Sequence, residues 1–598
     1  MFRYDFFNGL PFRRLQGWLM VRALVLCAFV IGILALQGCS IKEKLYGRVS
    51  STNYINTDAD VPEVVNGVYS IYQTYGLYKY CAHTMMLYSS DEFCPPNISG
   101  TYFVYTETSA DPYMSQVWPA LNSTIEQANA TMVAVNNAPL VTAATKKKVI
   151  GEMYFVRDFS YFDLVRLYGG VPVRLSPTTD PASFNLPRQS VDSVYHQLLN
   201  DLDSANDMCV PYSLQPKAEW GRATKGAAQA IKALACLTYG NYLDLNNRSG
   251  ESPYYYTLAN SFADSVILSN QYTLLTNYAS LFDVSNERNA YNEVIFGIQQ
   301  TRDATIAASN SKGSVMAFST NSAELPNICG NPPLGYAQGS LRVQPWFYNL
   351  YVSGDYKDSI NKANDYRTDF TFLTNWYRND GINPVTHYVT YPIVVPDSAR
   401  LTREQLPYFN KYHDPLGYDG SNNENDEYII RLAEVYLIKA EALNELGQTG
   451  SATNAFNKVR ARARLANGTP RKAPFDLRSG LSKYDFRMAV YNERGIELTG
   501  EFGRWFDDVR MQYQNSGKCM LQWRFDTFYP SLAASSLKVM PQWDTKTKKW
   551  NPMVNGVPQG GVVQPLSVPA WKEKSKLFPI PASELAANGN LGGQNPGW

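Results

Sequence analysis

The stretch from Asp426 to Leu446 constrains the fold more than any other part of this chain. Ile429, Leu432, Ala433, Tyr436, Ala440 and Leu443 recur with a helical period and form one apolar stripe. Asp426 and Glu427 stand at its start, where the helix dipole favours negative charge. Gly447 stands where a glycine commonly terminates a helix. Ala433, Ala440 and Gly447 recur every seven residues, a seam of small residues that lets a second helix approach closely. A second helix, Ser451 to about Leu465, follows a four-residue turn, so the two form an antiparallel hairpin.

The pattern repeats along the chain. Lys146 to Tyr168 reads as a helix that stops at Gly169-Gly170-Val171-Pro172, and Val191 to Met208 as a shorter one. Thr224 to Leu243 carries Ala227, Ala230, Ala233, Leu234 and Leu237 on one face. Val61 to Tyr75, Trp118 to Asn136, Leu258 to Ser269 and Asp485 to Leu498 are further helices by the same criterion. Helical pairs with alanine seams predict stacked, tetratricopeptide-like hairpins, diverged and interrupted because no strict 34-residue repeat is visible.

Between the helical blocks lie long stretches rich in Tyr, Asn, Gly, Pro and Ser: 79–117, roughly 271–425, and 511–576. They hold too many aromatic residues for disorder. Loops of that length in a compact chain are uncommon unless they are functional. They read as ordered insertions that build an irregular subdomain against the helices. The 42 tyrosines are the compositional anomaly, and rings with a polar edge suit wet recognition surfaces as well as loop packing.

The N-terminus has a different logic. Arg13, Arg14 and Arg22 precede the 14-residue apolar run Ala23 to Leu36, which is short of the roughly 20 residues that span a bilayer. Leu36-Gln37-Gly38-Cys39 then resembles a bacterial lipobox. Cleavage before Cys39, lipidation of its thiol and a membrane-tethered mature chain are expected. Met20 gives a more ordinary signal sequence than Met1 and is the expected start.

Several chemistries find no support. The formal charge of +1 becomes about −2 once residues 1–38 are removed, and no basic patch stands out, so nucleic acid is not an expected partner. No C-x-x-C pair occurs, and His83, His196, His387 and His413 have no metal-ligand spacing, so neither a metal nor a cofactor is expected. Cys81 and Cys94 are close enough in sequence to staple a loop in an exported protein.

The helical blocks also carry a family signature. Gly151 to Arg157 (GEMYFVR), Tyr161 to Pro172 (YFDLVRLYGGVP) and Gly221 to Ala228 (GRATKGAA) resemble motifs of the SusD/RagB family. So do Ile430 to Leu437 (IRLAEVYL), Ala440 to Asn444, Val459 to Ala463, Glu493 to Leu498 and Arg504-Trp505-Phe506-Asp507. Phe578-Pro579-Ile580-Pro581 and the closing Gln594-Asn595-Pro596-Gly597-Trp598 are similar to that family's C-terminus. Two positions depart from the pattern: Asp158, where alanine is usual, and Asp508, where leucine is usual.

The resemblance implies a mainly α fold of about four tetratricopeptide-like hairpins with a large irregular insertion subdomain. The expected divisions are a lipoprotein signal peptide (1–38), a tether (39–60), an N-terminal helical region (61–270) with a binding loop at 79–117, a ligand-binding insertion (271–425), and a C-terminal helical region and tail (426–598). The implied role is non-catalytic: a Bacteroidota outer-membrane surface lipoprotein, held in the lipid through Cys39. It would capture oligosaccharide, or in some members peptide, for a partner SusC-like TonB-dependent transporter.

Motif charges beside small apolar residues (Glu152, Arg157, Arg431, Glu434, Glu441, Arg460, Glu493, Glu497, Arg504 and Asp507) are expected to form interhelical ion pairs, because Arg forks suit carboxylates. Trp118 is expected to be a structural anchor and residues 594–598 a docked tail. Sugars present flat C–H faces beside hydroxyl rims, so loop aromatics flanked by polar groups are the candidate ligand contacts. These are Tyr88, Asp91, Tyr102 and Tyr105 in the first insertion, and Trp346, Tyr348 and Trp376 in the second. Glu92, Asn97, Tyr113, Arg342, Gln344, Tyr351 and Tyr377 lie among them. A glycoside hydrolase would need two carboxylates held about 5–10 Å apart, and the adjacent pairs at Asp91-Glu92 or at Glu424, Asp426 and Glu427 do not supply such a constellation. A tetratricopeptide adaptor for protein helices would leave both the insertions and the lipid anchor unexplained.

Overall fold

The computed structural model describes residues 55–94, 101–103, 105–180, 183–301, 341–358, 363–377, 388–390, 407–414, 424–466, 469–528, 542–544, 549–551, 553–554, 557–558 and 572–598. Residues Ile55–Trp598 form one compact unit. The lipobox, Cys39 and the Met1/Met20 alternative lie outside the described residues.

The scaffold is a row of helices. In chain order they are α1 (Val61–Tyr69), α2 (Cys81–Ser89), α3 (Met114–Asn137), α4 (Ala143–Tyr168), α5 (Val191–Met208), α6 (Lys225–Leu245), α7 (Ser252–Leu268), α8 (Pro345–Val352), α9 (Leu432–Glu445), α10 (Thr449–Ala463), α11 (Lys483–Glu497) and α12 (Gly503–Arg510). Helix α3 packs on α4, α4 on α5, α5 on α6 and α6 on α7. The row then passes from α7 directly to α9, which packs on α10 and α11. The long middle insertion therefore leaves and re-enters between two adjacent members of the stack. This is the mainly α, hairpin-stacked architecture that the alanine seams predict.

Local chemistry sets the helix ends. Thr142, Ser190, Thr224 and Ser482 each accept a hydrogen bond from a main-chain N–H three residues on, so they cap α4, α5, α6 and α11. Gly447 has φ +77°, and the bonds Gly447 N–H to Asn444 C=O (2.9 Å) and Gln448 N–H to Leu443 C=O (2.8 Å) close α9 in a Schellman turn. Ala433 and Ala440 are fully buried on α9, as the seam requires.

Three expected boundaries are corrected. Glu427–Arg431 is a strand, not the first turn of α9. It pairs antiparallel with Val294–Ile298, whose main chain satisfies its hydrogen bonds, and Tyr428 and Ile430 are buried between them and the helices. Helix α7 starts at Ser252, earlier than the Leu258 start expected, because Pro253 sits in the first turn, where its missing N–H costs nothing. Helix α3 starts at Met114 and carries Pro119 inside it, so Trp118 lies in the second turn rather than opening the helix. Trp118 is nonetheless an anchor: it is buried edge-on to Tyr168 at 5.0 Å.

The insertions contribute a small sheet. Strands β1 (Phe93–Cys94), β2 (Arg342–Val343), β3 (Phe372–Leu373) and β4 (Tyr408–Phe409) lie in the spatial order β1-β2-β4-β3, all antiparallel. The 79–117 stretch is less irregular than expected, since α2 lies within it. That helix is buried almost all round, and an element without a polar face leaves no amphipathic period to read. Cys81 on α2 is a buried free thiol, pushed up to about 12 by burial, so the staple to Cys94 is not made.

The polar core is as notable as the apolar one. Arg431 bridges Glu293, Glu497 and Glu501; Arg462 bridges Glu293 and Glu497; Arg367 bridges Asp365, Glu493 and Glu497. Arg460 joins Glu493, and Lys411 joins Glu501. Beside this network Arg494 pairs with Glu434 and Asp507, and Arg510 with Glu441 and Asp507. Arg157 pairs with Asp201. Of the motif charges expected to pair across helices, Arg431 pairs from a strand, Arg504 pairs with Asp91 outside any helix, and Glu152 has no ion pair among the described residues: it is buried and pushed up to about 7 by desolvation, with Arg222 its largest opposing influence. The tail is docked: Arg188 and the Phe578 carbonyl hold Asn595 at 2.7 Å each, and Trp598 Nε1 donates to the Leu577 carbonyl at 3.0 Å.

Candidate functional site

The insertions converge on one another through main-chain pairing. Phe93 of β1 lies opposite Val343 of β2, and the Gln344 N–H donates to the Glu92 carbonyl at 2.9 Å. The first insertion is thereby fixed to the residue that precedes α8. Pro345 opens α8, and Trp346 follows in its first turn.

A third segment joins them through Asp91. This carboxylate accepts from Arg504 Nε at 2.7 Å and faces Arg524 Nη1 at 2.8 Å, while Arg524 Nη2 reaches Asp508 at 2.6 Å. Tyr491 donates to Asp508 and lies under the Arg504 guanidinium at 3.6 Å. Two arginines thus face two aspartates. Glu92, next in sequence, is pushed up to about 8 by burial, with Arg504 the largest opposing influence. Arg524 begins a π-helical turn, Arg524–Phe528, directly after Trp523. Such turns are frequent at functional sites because they re-aim side chains.

The result is a strip of four half-buried rings. Tyr513 stacks on Trp523 at 4.6 Å and 12°. Trp523 stacks on Phe528 at 5.4 Å and 29°, and Trp346 meets Phe528 edge to face at 5.1 Å. Lys518 and Asp526, paired at 2.7 Å, are more exposed groups of the same segment. Rings in contact bury area at low entropic cost, and all four residues stay partly exposed.

The other expected contacts divide sharply. Asp91 is 2% exposed and spent on its arginines. Tyr102, 4% exposed, donates to Asp111 and stacks on Tyr113 at 5.9 Å. Tyr105, 8% exposed, donates to the Ser89 carbonyl and packs on Phe525 at 5.0 Å. Tyr348, 4% exposed, packs on Phe372 at 5.5 Å. These four have internal partners and almost no open face, and they pack the loops together. Tyr88 is half-buried on α2. Trp376 lies on the strand Asn375–Tyr377, paired with Tyr388–Thr390, and its side chain is outside the described residues, as is Asn97.

The sequence does not single out Trp523, Phe528 or Tyr513. The signal was present, since all three fall at the start of the irregular stretch 511–576, but nothing local marks Asp91 as the partner of Arg524. Two of the carboxylates considered for hydrolysis have close partners: Asp426 accepts from Tyr291 and from the Gln300 N–H, both at 2.9 Å, and Glu427 lies 3.2 Å from His83. Among the described residues no group of three or more His, Cys, Asp and Glu side chains is placed to hold a metal ion. Nor is any described helix long and apolar enough to cross a membrane.

Residues 292–598 match the model of the SusD family, and residues 45–237 match a related model described as starch-binding, associating with the outer membrane. The chain belongs to the SusD family. It is 25% identical over 587 residues to SusD-like protein P2 of Formosa agariphila, covering 95% of this chain and 99% of that one. Its fold matches the crystal structure of a SusD homolog from Bacteroides thetaiotaomicron with a TM-score of 0.70 at 20% identity, covering 92% and 99% of the two chains. It also matches surface glycan-binding protein A from Bacteroides uniformis with a TM-score of 0.62 at 20% identity, covering 90% and 99%.

Proposed function

We propose that this protein is a non-catalytic, outer-membrane-associated surface binder of oligo- or polysaccharide, tethered through Cys39. It passes its ligand to a SusC-like TonB-dependent transporter. The observation that carries the binding role is the contiguous strip Tyr513, Trp523, Phe528 and Trp346, which offers aromatic faces where three insertions meet. Membership of the SusD family and the likeness to a surface glycan-binding protein support the same reading. Trp346 is its central residue, with Trp523 and Phe528 added to it; Tyr88 and Trp376 remain proposed contacts.

The mechanism is adsorption. The rings take the apolar faces of sugar residues, and exposed polar groups such as Lys518 and Asp526 are available to ring hydroxyls. The strip is held by the buried Asp91–Arg524 pair, so little ordering is required on binding. A glycan array followed by calorimetry on the chain lacking residues 1–39, with Trp346→Ala and Trp523→Ala alongside, tests the proposal. Binding of one polysaccharide class, lost in both variants, supports it. Retention of peptides instead of any glycan would place the protein with peptide-binding relatives.

A further inference from the structure

A second concavity lies at the docked C-terminal tail and shares no residue with the aromatic strip. Glu107, Thr108 and Ser109 from the first insertion, Lys572 and Lys574, and Trp598 line a cleft of about 430 Å³. That volume is within the range of small-ligand clefts. Its floor holds an anomaly: Glu107 is 3% exposed, yet its Oε2 has no hydrogen-bond partner among the described residues. Buried polar atoms ordinarily have partners, and an orphan lining a cleft calls for an outside one.

Charge identifies the chemistry. Lys574 Nζ stands over the Trp598 ring at 3.7 Å, partly desolvated and with its pKa lowered by burial, and Lys572 is exposed beside the cleft. The charged groups that influence Glu107 are Lys574, Asp111 and Lys572; burial outweighs them and pushes its carboxyl up to about 7. Glu107 becomes increasingly protonated below about pH 7, and the two ammonium groups leave the lining side chains net positive. The hydroxyls of Thr108 and Ser109 add donors and acceptors of the kind that suit a polyol.

We propose that this cleft is a second binding site that takes a carboxylate-bearing sugar residue, with Lys572 and Lys574 holding the anion and Glu107 meeting it as a hydrogen-bond partner. The site complements a neutral aromatic strip: one reads sugar faces, the other a sugar's charge. As pH rises through the Glu107 titration the carboxyl ionises and repels the ligand anion, so affinity falls with rising pH.

The test is calorimetric titration of the chain lacking residues 1–39, which retains the compact unit Ile55–Trp598, with glucuronate, glucose and acetate as separate probes. Glucuronate is expected to bind about tenfold more tightly than glucose or acetate. Lys572→Ala, an exposed change that leaves the fold intact, and Lys574→Ala should each weaken it by about tenfold. Glu107→Gln should retain binding and flatten the decline between about pH 6 and pH 8.5. Equal binding of glucose would overturn the role of the anion, and equal binding of acetate the role of the sugar. No glucuronate binding, or binding indifferent to both lysines, would overturn the site itself.

Discussion

Arg431 Nη1 donates to Glu497 Oε1 at 2.6 Å, and Arg431 Nη2 donates to the Glu497 main-chain carbonyl at 2.7 Å, with both side chains fully excluded from solvent. One guanidinium thus ties the strand before α9 to the last turn of α11. The same carboxylate meets Arg367 and Arg462, so Glu497 is shared by three cations from three parts of the chain.

Removing that charge should be severe. Glu497→Gln leaves three buried arginines short of an anion and is expected to cost about 3–5 kcal/mol. Guanidinium unfolding monitored by circular dichroism reads this directly, and a loss below about 1 kcal/mol would contradict the network's importance.

The same residue sets an acid limit. Desolvation by burial opposes ionisation of Glu497, but Arg462, Arg431 and Arg367 outweigh it and hold the carboxyl at about 2, below its ordinary 4.5. Its contribution is complete above the unfolded value and is lost as pH falls from about 4.5 toward about 2. Thermal unfolding across that window should show a steeper decline in the parent than in Glu497→Gln.

Asp158 should behave in the opposite sense. It is fully buried next to Asp201, and desolvation followed by the Asp201 charge raises its pKa well above the ordinary 3.8. A raised carboxyl penalises the fold increasingly as pH rises above its unfolded value. Asp158→Asn keeps a donor toward Asp201 and removes the penalty, so the variant should melt higher than the parent, by more at pH 8 than at pH 5. An equal or lower melting temperature at pH 8 would refute the assignment.

Gly500 has little room for any other residue. Its φ is +72°, and a Cβ there would lie 2.4 Å from the Phe409 ring on β4. Gly500→Ala is expected to cost about 2 kcal/mol or more, the sum of backbone strain and overpacking. Gly450→Ala, with open space at its Cβ, is the control and should be close to neutral in the same denaturation assay.

For the aromatic strip, Trp346→Ala and Trp523→Ala should each weaken the identified glycan by at least about tenfold, or ~1.4 kcal/mol. Arg524→Met touches no ligand but releases the turn that positions Trp523 and Phe528, so it should weaken binding while Lys518→Ala leaves the strip in place. Unchanged affinity in both tryptophan variants would remove the strip from the binding role.

Much of the scaffold was legible because amphipathic periods and caps are local. Val191–Met208 is readable to the residue, and the buried charges beside alanines announce their pairs. What escaped reading depends on distant partners. Tyr428 and Ile430 form a strand only because Val294–Ile298 lies alongside. Tyr102 and Tyr348 look like Trp346 in sequence, and their burial follows from Asp111, Tyr113 and Phe372, whose proximity no spacing encodes. The same holds for the tyrosines, which suit recognition and packing alike: Tyr72, Tyr278 and Tyr351 are core residues whose hydroxyls serve main-chain carbonyls.

The passage of the helical row from α7 to α9 has a consequence for engineering. The excursion between them looks exchangeable, a cassette that could be swapped to change what is captured. It is not a free cassette, because Arg367 and Lys411 reach from it into the charges of α11 and the turn that follows. A graft that replaces the excursion wholesale would take one cation from each of Glu493, Glu497 and Glu501 and leave Arg431, Arg460 and Arg462 to balance them alone. Chimeras that preserve those two cations and the strand Val294–Ile298 should fold, and whole-segment swaps should fail before their ligands are ever tested.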